Sequence, residues 1–336
     1  MKTNLKRYFL ITFLALLAVS HWACQQTYSV APLAANSAAV NNATLGWTAS
    51  TSSASFGPRT AHTSVVFNNK MWVIGGIQIS GGTVNNIYND VWYSTDGANW
   101  TQATANAGFT PRYFHSSVVF NNAMWVIGGG FGGSYGSDVW SSTDGVTWNP
   151  VTLTAAFGPR EGHACVVYNG KIWLIGGYNN SYLNDVWYST DGAHWTLATA
   201  SAAFSARYAH SCLVYNSKMW VIAGGSSVLY HDAWYSTDGV NWTAATTMAP
   251  FAGRAVQSGV VFNNAMWISG GVTNLSTFAS GNDSWYSSDG TNWSQATGTP
   301  FTPTRYAHTG LAYNNSMWVI AGYDYPNSIG DVWHAP

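Results

Sequence analysis

Six arginines recur along the chain at intervals of 47 to 53 residues, and each is followed 25 to 31 residues later by an aspartate in an Asp-x-Trp motif. A guanidinium and a carboxylate form short, bidentate hydrogen bonds when they meet in a partly buried place. The spacing predicts six such pairs, and because they repeat with the architecture we interpret them as structural. The residues are Arg59, Arg112, Arg160, Arg207, Arg254 and Arg305, with Asp90, Asp138, Asp185, Asp232, Asp283 and Asp331.

A histidine follows five of these arginines after three residues, and Gln257 takes its place after Arg254. Imidazoles around a channel could bind a metal ion. If the six repeated units form a ring, however, the histidines lie too far apart for one tetrahedral metal shell, and no Cys, Asp or Glu converges with them. We therefore predict structural histidines, no metal and no other cofactor. The five are His62, His115, His163, His210 and His308.

Glu161 is the only glutamate in the chain, and it directly follows Arg160. A carboxylate at this place could move a proton as a general base if its pKa were suitably shifted. The simpler expectation is an exposed loop carboxylate without a catalytic role. Glu161 and Arg160 are the only residues that we single out as candidates for catalysis.

Eight tyrosines lie either directly after a repeat arginine or in the segment of variable length that precedes an Asp-x-Trp motif. Variable loops on a rigid scaffold are where ligands usually bind. Exposed tyrosines suit protein partners, and flat aromatic faces suit sugar rings. We expect the phenylalanines before the arginines only to wedge loops between units. The candidate ligand-binding residues are Tyr88, Tyr113, Tyr135, Tyr182, Tyr208, Tyr230, Tyr306 and Tyr323.

The elements that must position these side chains are four short strands per unit, named a to d. Tight turns such as Asn-Asn or Asn-Gly join strands a and b, and an Asp-Gly turn joins c and d. No 3.6-residue apolar period indicates a helix. With 15% aromatic and only 7% charged residues, the chain is predicted to be all-β, a six-bladed β-propeller of four-stranded blades over residues 44–336.

The sixth unit ends after strand c, so its fourth strand must come from elsewhere in the chain. Gly46-Trp47-Thr48 carries the Trp-Thr pair that marks strand d in other units. We predict that the N-terminal strand around Trp47 completes the last blade and closes the ring, which removes exposed sheet edges.

The order Arg-x-x-His, apolar strand, Trp-Val-Ile-Gly-Gly and Asn-Asp-Val-Trp resembles the kelch repeat over residues 44–336. More distantly it is similar to the central domain of galactose oxidase and to exported bacterial sialic-acid mutarotases, although no motif matches the copper-radical site of the former. The resemblance implies a propeller that acts as a non-enzymatic scaffold, binding a protein or glycan ligand through its d–a and b–c loops. The alternative is a sugar-acting enzyme of the mutarotase or epimerase type, with catalysis at Glu161 and Arg160.

Residues 1–24 have the form of an export signal, with a basic start and an apolar run too short to span a bilayer. The signal is either simply removed, or Cys24 becomes the lipid-modified residue of a lipoprotein. Residues 25–43 are predicted to be a flexible linker. We expect an extracytoplasmic protein, secreted or held at the cell envelope, that contacts a membrane only through Cys24.

The net charge and the cysteines give two further expectations, one about nucleic-acid binding and one about disulfides. The formal net charge of -1 leaves no basic patch for nucleic acid. Cys165 and Cys212 occupy a position that holds Ser or Gly in the other units. Buried thiols are expected there, and a disulfide between adjacent blades is the alternative.

Overall fold

The computed structural model describes residues 43–336, whose regular elements are all strands. The predicted signal, Cys24 and the linker up to residue 42 lie outside the described residues. Within the described part, no helix has the length and hydropathy needed to cross a membrane. The strands of residues 43–336 form six antiparallel sheets of four, and the six innermost strands contact one another in a closed ring. The predicted six-bladed propeller is confirmed.

Five blades are built from consecutive strands, because tight turns return the chain to the same sheet. The first and second blades contain β2 (Thr63–Phe67), β3 (Lys70–Ser80), β4 (Thr83–Ser94) and β5 (Thr101–Thr104), and then β6 (Ser116–Phe120), β7 (Ala123–Phe131), β8 (Ser134–Ser142) and β9 (Asn149–Thr152). The third and fourth blades contain β10 (Ala164–Tyr168), β11 (Lys171–Tyr178), β12 (Tyr182–Ser189) and β13 (Thr196–Thr199), and then β14 (Ser211–Tyr215), β15 (Lys218–Ile222), β16 (Ala233–Ser236) and β17 (Thr243–Thr246). The fifth blade contains β18 (Ser258–Phe262), β19 (Ala265–Val272), β20 (Ser280–Ser287) and β21 (Ser294–Gln295).

The sixth blade joins the two ends of the described chain. It contains β22 (Thr309–Tyr313), β23 (Ser316–Asp324), β24 (Asn327–Ala335) and, as its outer strand, β1 (Thr48–Thr51). Thr48 pairs with His334, and Trp47 is buried with its ring edge-on to Phe301 at 5.4 Å. The predicted closure by the N-terminal strand is therefore present.

The blades pack through tryptophan and glycine. A Cβ atom on Gly145, in a c–d turn, would lie 2.1 Å from the ring of Trp72 in the preceding blade, so the turn needs glycine for this contact as well as for its positive φ. Phe56 packs edge-on against Trp100 at 4.9 Å and is buried. The same holds for the other phenylalanines before the arginines, so their predicted wedging role is confirmed; they are Phe109, Phe157, Phe204, Phe251 and Phe301.

The two faces of the ring differ at the axis. We name the face with the d–a and b–c loops the loop face, and the opposite face, with the a–b and c–d turns, the turn face. On the loop face, one residue of each blade donates its backbone N–H to the carbonyl of the equivalent residue in the preceding blade, at 2.9 to 3.2 Å. The six bonds form a closed ring, and all six residues have φ between 55° and 65°. This ring links all six blades around the axis; its members are Ala61, Phe114, Gly162, Ala209, Val256 and Ala307.

Candidate functional site

The six arginine–aspartate pairs are present, and each is tied into its own blade. In the first blade, Arg59 Nη1 donates to Asp90 Oδ1 at 2.7 Å and to the Gly75 carbonyl at 3.0 Å. The indole Nε1 of Trp92 donates to Asp90 Oδ2 at 2.7 Å, which explains the Asp-x-Trp spacing. The arginine side chains are at most 3% exposed in all six pairs, so their donors are directed into the scaffold.

Arg160 follows the same pattern and therefore differs from a substrate-binding arginine. Its guanidinium donates to both carboxylate oxygens of Asp185, to the Gly176 carbonyl and to the Phe157 carbonyl. A substrate carboxylate could engage Arg160 only by displacing Asp185. The geometry thus separates Arg160 from Glu161, its neighbour in the sequence.

The five histidines are buried, and two of them, His62 and His115, reach a threonine of the preceding blade through Nε2. His115 Nε2 lies 2.8 Å from Thr63 Oγ1 of the preceding blade. Gln257 occupies the equivalent position and donates from Nε2 to Ser211 Oγ at 3.0 Å, so it keeps the contact between blades. Burial lowers the pKa of His62 to about 3, which holds its imidazole neutral. Within residues 43–336 no three His, Cys, Asp or Glu side chains are grouped to hold a metal ion.

Glu161 lies under the loop face beside the backbone ring. Only 4% of its surface is exposed, so the expectation of an exposed loop carboxylate is wrong. Its Oε2 packs so closely on Gly130 that a Cβ there would lie 2.3 Å away, and it has no hydrogen-bond partner among the described residues. Burial raises the pKa of Glu161 to about 8. The side chain is therefore a neutral acid at pH 7.

Tyrosines surround this carboxyl group and form what we call the tyrosine cluster, comprising Tyr113, Tyr135, Tyr178, Tyr182 and Tyr208. The ring centroids are 6.1 Å apart for Tyr135 and Tyr178, 5.3 Å for Tyr178 and Tyr182, and 5.3 Å for Tyr182 and Tyr208. Burial, and then the proximity of Glu161, raise the pKa of Tyr135 to about 12. Tyr182 is the most exposed member, at 36%.

The cluster includes one residue that the sequence analysis missed and leaves out four that it selected. Tyr178 ends strand β11, where the Gly-Gly pair gave no reason to single it out. Tyr88 and Tyr230 stack on the guanidinium groups of Arg59 and Arg207, at 4.4 and 4.2 Å. Tyr306 and Tyr323 lie in the sixth blade, away from the cluster, and are buried against each other with ring centroids 5.2 Å apart.

A second concave site lies on the turn face and was also missed. There a cavity of about 970 Å³ is lined by the ends of inner strands and by a–b turns. The Asn-Asn pairs of these turns were the available signal, but they were interpreted only as turn formers. Cys165 and Cys212, at the level of the inner strands, are buried thiols, and burial raises the pKa of Cys165 to about 12.

Comparison with protein families identifies the repeat. Residues 81–271 match the family described as the KLHDC2/KLHL20/DRC7 Kelch-repeats domain. The chain belongs to the kelch-repeat family. Kelch propellers act generally as binding scaffolds, and this is the coarse function that membership supports. A search of curated proteins gave no significant match.

Proposed function

We propose that this kelch-repeat propeller is a non-enzymatic binding scaffold that holds a protein or glycan ligand on its loop face, outside the cytoplasm. The observation that supports it is the tyrosine cluster, which gathers side chains from three adjacent blades on a rigid base. Loops that vary in length on a repeated scaffold are suited to selective recognition. The cluster adds aromatic area with little side-chain entropy to lose.

The exposed side chains of the loop face favour a protein as the ligand. Tyr182, at the start of strand β12, is 36% exposed. Val228 and Tyr325, in b–c loops, are 54% and 67% exposed. Met248, in a d–a segment, is 75% exposed. Tyrosine and methionine are enriched in protein interfaces, so exposed side chains of these types suit contact with a protein.

The test is a Tyr182→Ala variant compared with the wild-type chain, using a pull-down from the envelope fraction and a glycan array. Tyr182 is expected to be a hot spot, so its loss should weaken retention of the ligand by about 10-fold or more. Val240→Ala is the matched control, because Val240 is 47% exposed on the turn face. Retention that survives in Tyr182→Ala as well as in Val240→Ala would contradict a loop-face site.

Glu161 supports the second candidate function, a sugar-acting enzyme of the mutarotase type. A carboxylic acid whose pKa lies near 8 can give and take a proton close to neutral pH. The engagement of Arg160 by Asp185 leaves Glu161 as the residue on which this function would depend.

The enzyme hypothesis is tested by saturation-transfer NMR on reducing sugars. It predicts faster anomeric exchange with the wild-type protein and a loss of about 100-fold or more with Glu161→Gln, which removes the proton and keeps the shape. Wild-type protein that leaves the exchange rate at its uncatalysed value would exclude this function.

A further inference from the structure

The turn-face cavity is a ligand-sized site lined by the ends of five of the six inner strands. Its volume of about 970 Å³ lies in the range of small-molecule sites. Its wall is apolar along the axis, with Val66, Val119, Val167 and Val261 contributed by four different blades. The cavity opens at the turn face, at the opposite end of the inner strands from the backbone ring.

One half of the cavity rim is rich in carboxamides. The a–b turns of three adjacent blades each place two exposed asparagines there, whereas the next blade contributes Gly170. Each carboxamide offers two N–H donors and an acceptor oxygen. The six asparagines of this rim are Asn314, Asn315, Asn68, Asn69, Asn121 and Asn122.

The turn itself does not require the second asparagine of each pair. Asn69, Asn122 and Asn315 have φ of 54°, 58° and 54°, a left-handed conformation in which glycine is preferred in this kind of hairpin. Gly170 builds the equivalent turn with φ of 69°. Glycine adopts this conformation without a side-chain clash, and asparagine adopts it more readily than most residues. The turn can therefore form with either residue and does not need these three carboxamides.

The cavity offers no charge to a ligand. No Asp, Glu, Lys, Arg or His is among the described residues that line it. Lys70 and Lys171 are close in sequence to the turns, but their ammonium groups lie over Tyr93 and Tyr188 at 3.9 and 4.0 Å. These contacts hold the nearest cations on the blades and away from the axis.

We propose that the turn-face cavity binds the end of a neutral saccharide chain. Sugar hydroxyls would exchange hydrogen bonds with the carboxamides of the three adjacent blades, and the C–H faces of the rings would pack on the valines. An uncharged, apolar wall combined with paired donors and acceptors matches this chemistry and disfavours charged ligands. The site is separate from the loop-face site and does not depend on it.

The test replaces these three asparagines together, as Asn69→Gly, Asn122→Gly and Asn315→Gly. Because glycine is preferred in this conformation, the triple variant should fold and melt at the wild-type temperature or above. Asn264→Gly is the matched control: Asn264 has the same turn position and φ of 56° but does not line the cavity.

The probes are maltotriose, cellotriose, xylotriose and triacetylchitotriose, with sialyllactose as a charged comparison, titrated by calorimetry into the full chain. We expect at least one neutral trisaccharide to bind the wild-type protein, to bind the triple variant about 10-fold or more weakly, and to bind Asn264→Gly unchanged. Tyr182→Ala should leave this affinity unchanged, which separates the result from the loop-face proposal.

Any of four results would overturn the inference. The first three are failure of all four neutral trisaccharides to bind the wild-type chain, equal affinity for the wild-type and triple variants, and equal loss in the Asn264→Gly control. Tighter binding of sialyllactose than of the neutral probes would also contradict an uncharged ligand.

Discussion

Burial controls the charge of the titratable side chains nearest the axis. It lowers the pKa of His62, His163 and His210 to about 3 and raises that of Glu161 to about 8. All four groups are therefore neutral in the folded protein at pH 7. The six buried arginines, by contrast, are each paired with an aspartate carboxylate.

At this scale, Glu161 gives a prediction about pH. Its pKa rises from 4.5 to about 8 on folding, so between these values the folded state binds a proton that the unfolded state has released. The stability from this group is full below pH 4.5 and is lost as the pH rises through 8. Relative to Glu161→Gln, the wild-type free energy of unfolding should fall by up to about 1.4 kcal/mol per pH unit in this window.

The measurement is urea unfolding of both proteins at several pH values across the window. The buried histidines act in the opposite direction, since they destabilise the fold when the pH falls below 6.5. They are present in both proteins, so the difference between the two curves isolates Glu161. A difference that does not vary with pH would mean that the carboxyl group is exposed.

At the scale of the element, strand c of each blade is held by an arginine, an aspartate and a tryptophan acting together. Arg112 donates to both oxygens of Asp138, at 2.9 and 2.7 Å, and to the Gly128 carbonyl, while Trp140 donates to the same aspartate. Removing the guanidinium leaves the carboxylate without its counter-charge. The strand would then carry an uncompensated, largely buried charge.

Arg112→Ala is therefore expected to lower the free energy of unfolding by about 3–5 kcal/mol. The double variant Arg112→Ala/Asp138→Ala should lose less than the sum of the two single variants, because it removes the unpaired carboxylate as well. Denaturant unfolding of the three variants forms a double-mutant cycle. Additive losses would show that the two side chains are not coupled.

At the scale of the whole molecule, closure depends on one short segment. Leu45 N donates to Thr297 O in blade five at 2.7 Å, and β1 pairs with β24 in blade six. The segment thus links two blades and covers the edge of the last one. Trp47 anchors it, in the place that Trp100 takes in the first blade.

Trp47→Ala and Trp100→Ala should each destabilise the protein by about 3–5 kcal/mol, because each removes a buried indole. Only Trp47→Ala should also release the N-terminal strand, because β1 is not joined by a turn to its neighbour β24, whereas β5 follows β4 directly in its sheet. Limited proteolysis followed by mass spectrometry should find early cuts before residue 52 in Trp47→Ala and not in Trp100→Ala. Equal cleavage in the two variants would contradict closure through Trp47.

The sequence by itself determined the features that repeat within one blade. The tryptophan of strand b and the arginine–aspartate pair recur in all six units, and the c–d Asp-Gly turn recurs in five. These local signals support one another from unit to unit. Trp47 was predictable for the same reason, because it completed a pattern that the last unit left unfinished.

Only the tertiary structure decided the features that arise between blades. Glu161 is buried because Tyr113 and Gly130, from the preceding blade, cover it, and no pattern around Glu161 in the sequence shows them. The turn-face cavity likewise depends on how far the ring of blades holds Asn69, Asn122 and Asn315 from the axis. Burial and concavity are properties of residues far apart in the chain, which is why periodicity predicted the propeller but not the environment of its two candidate sites.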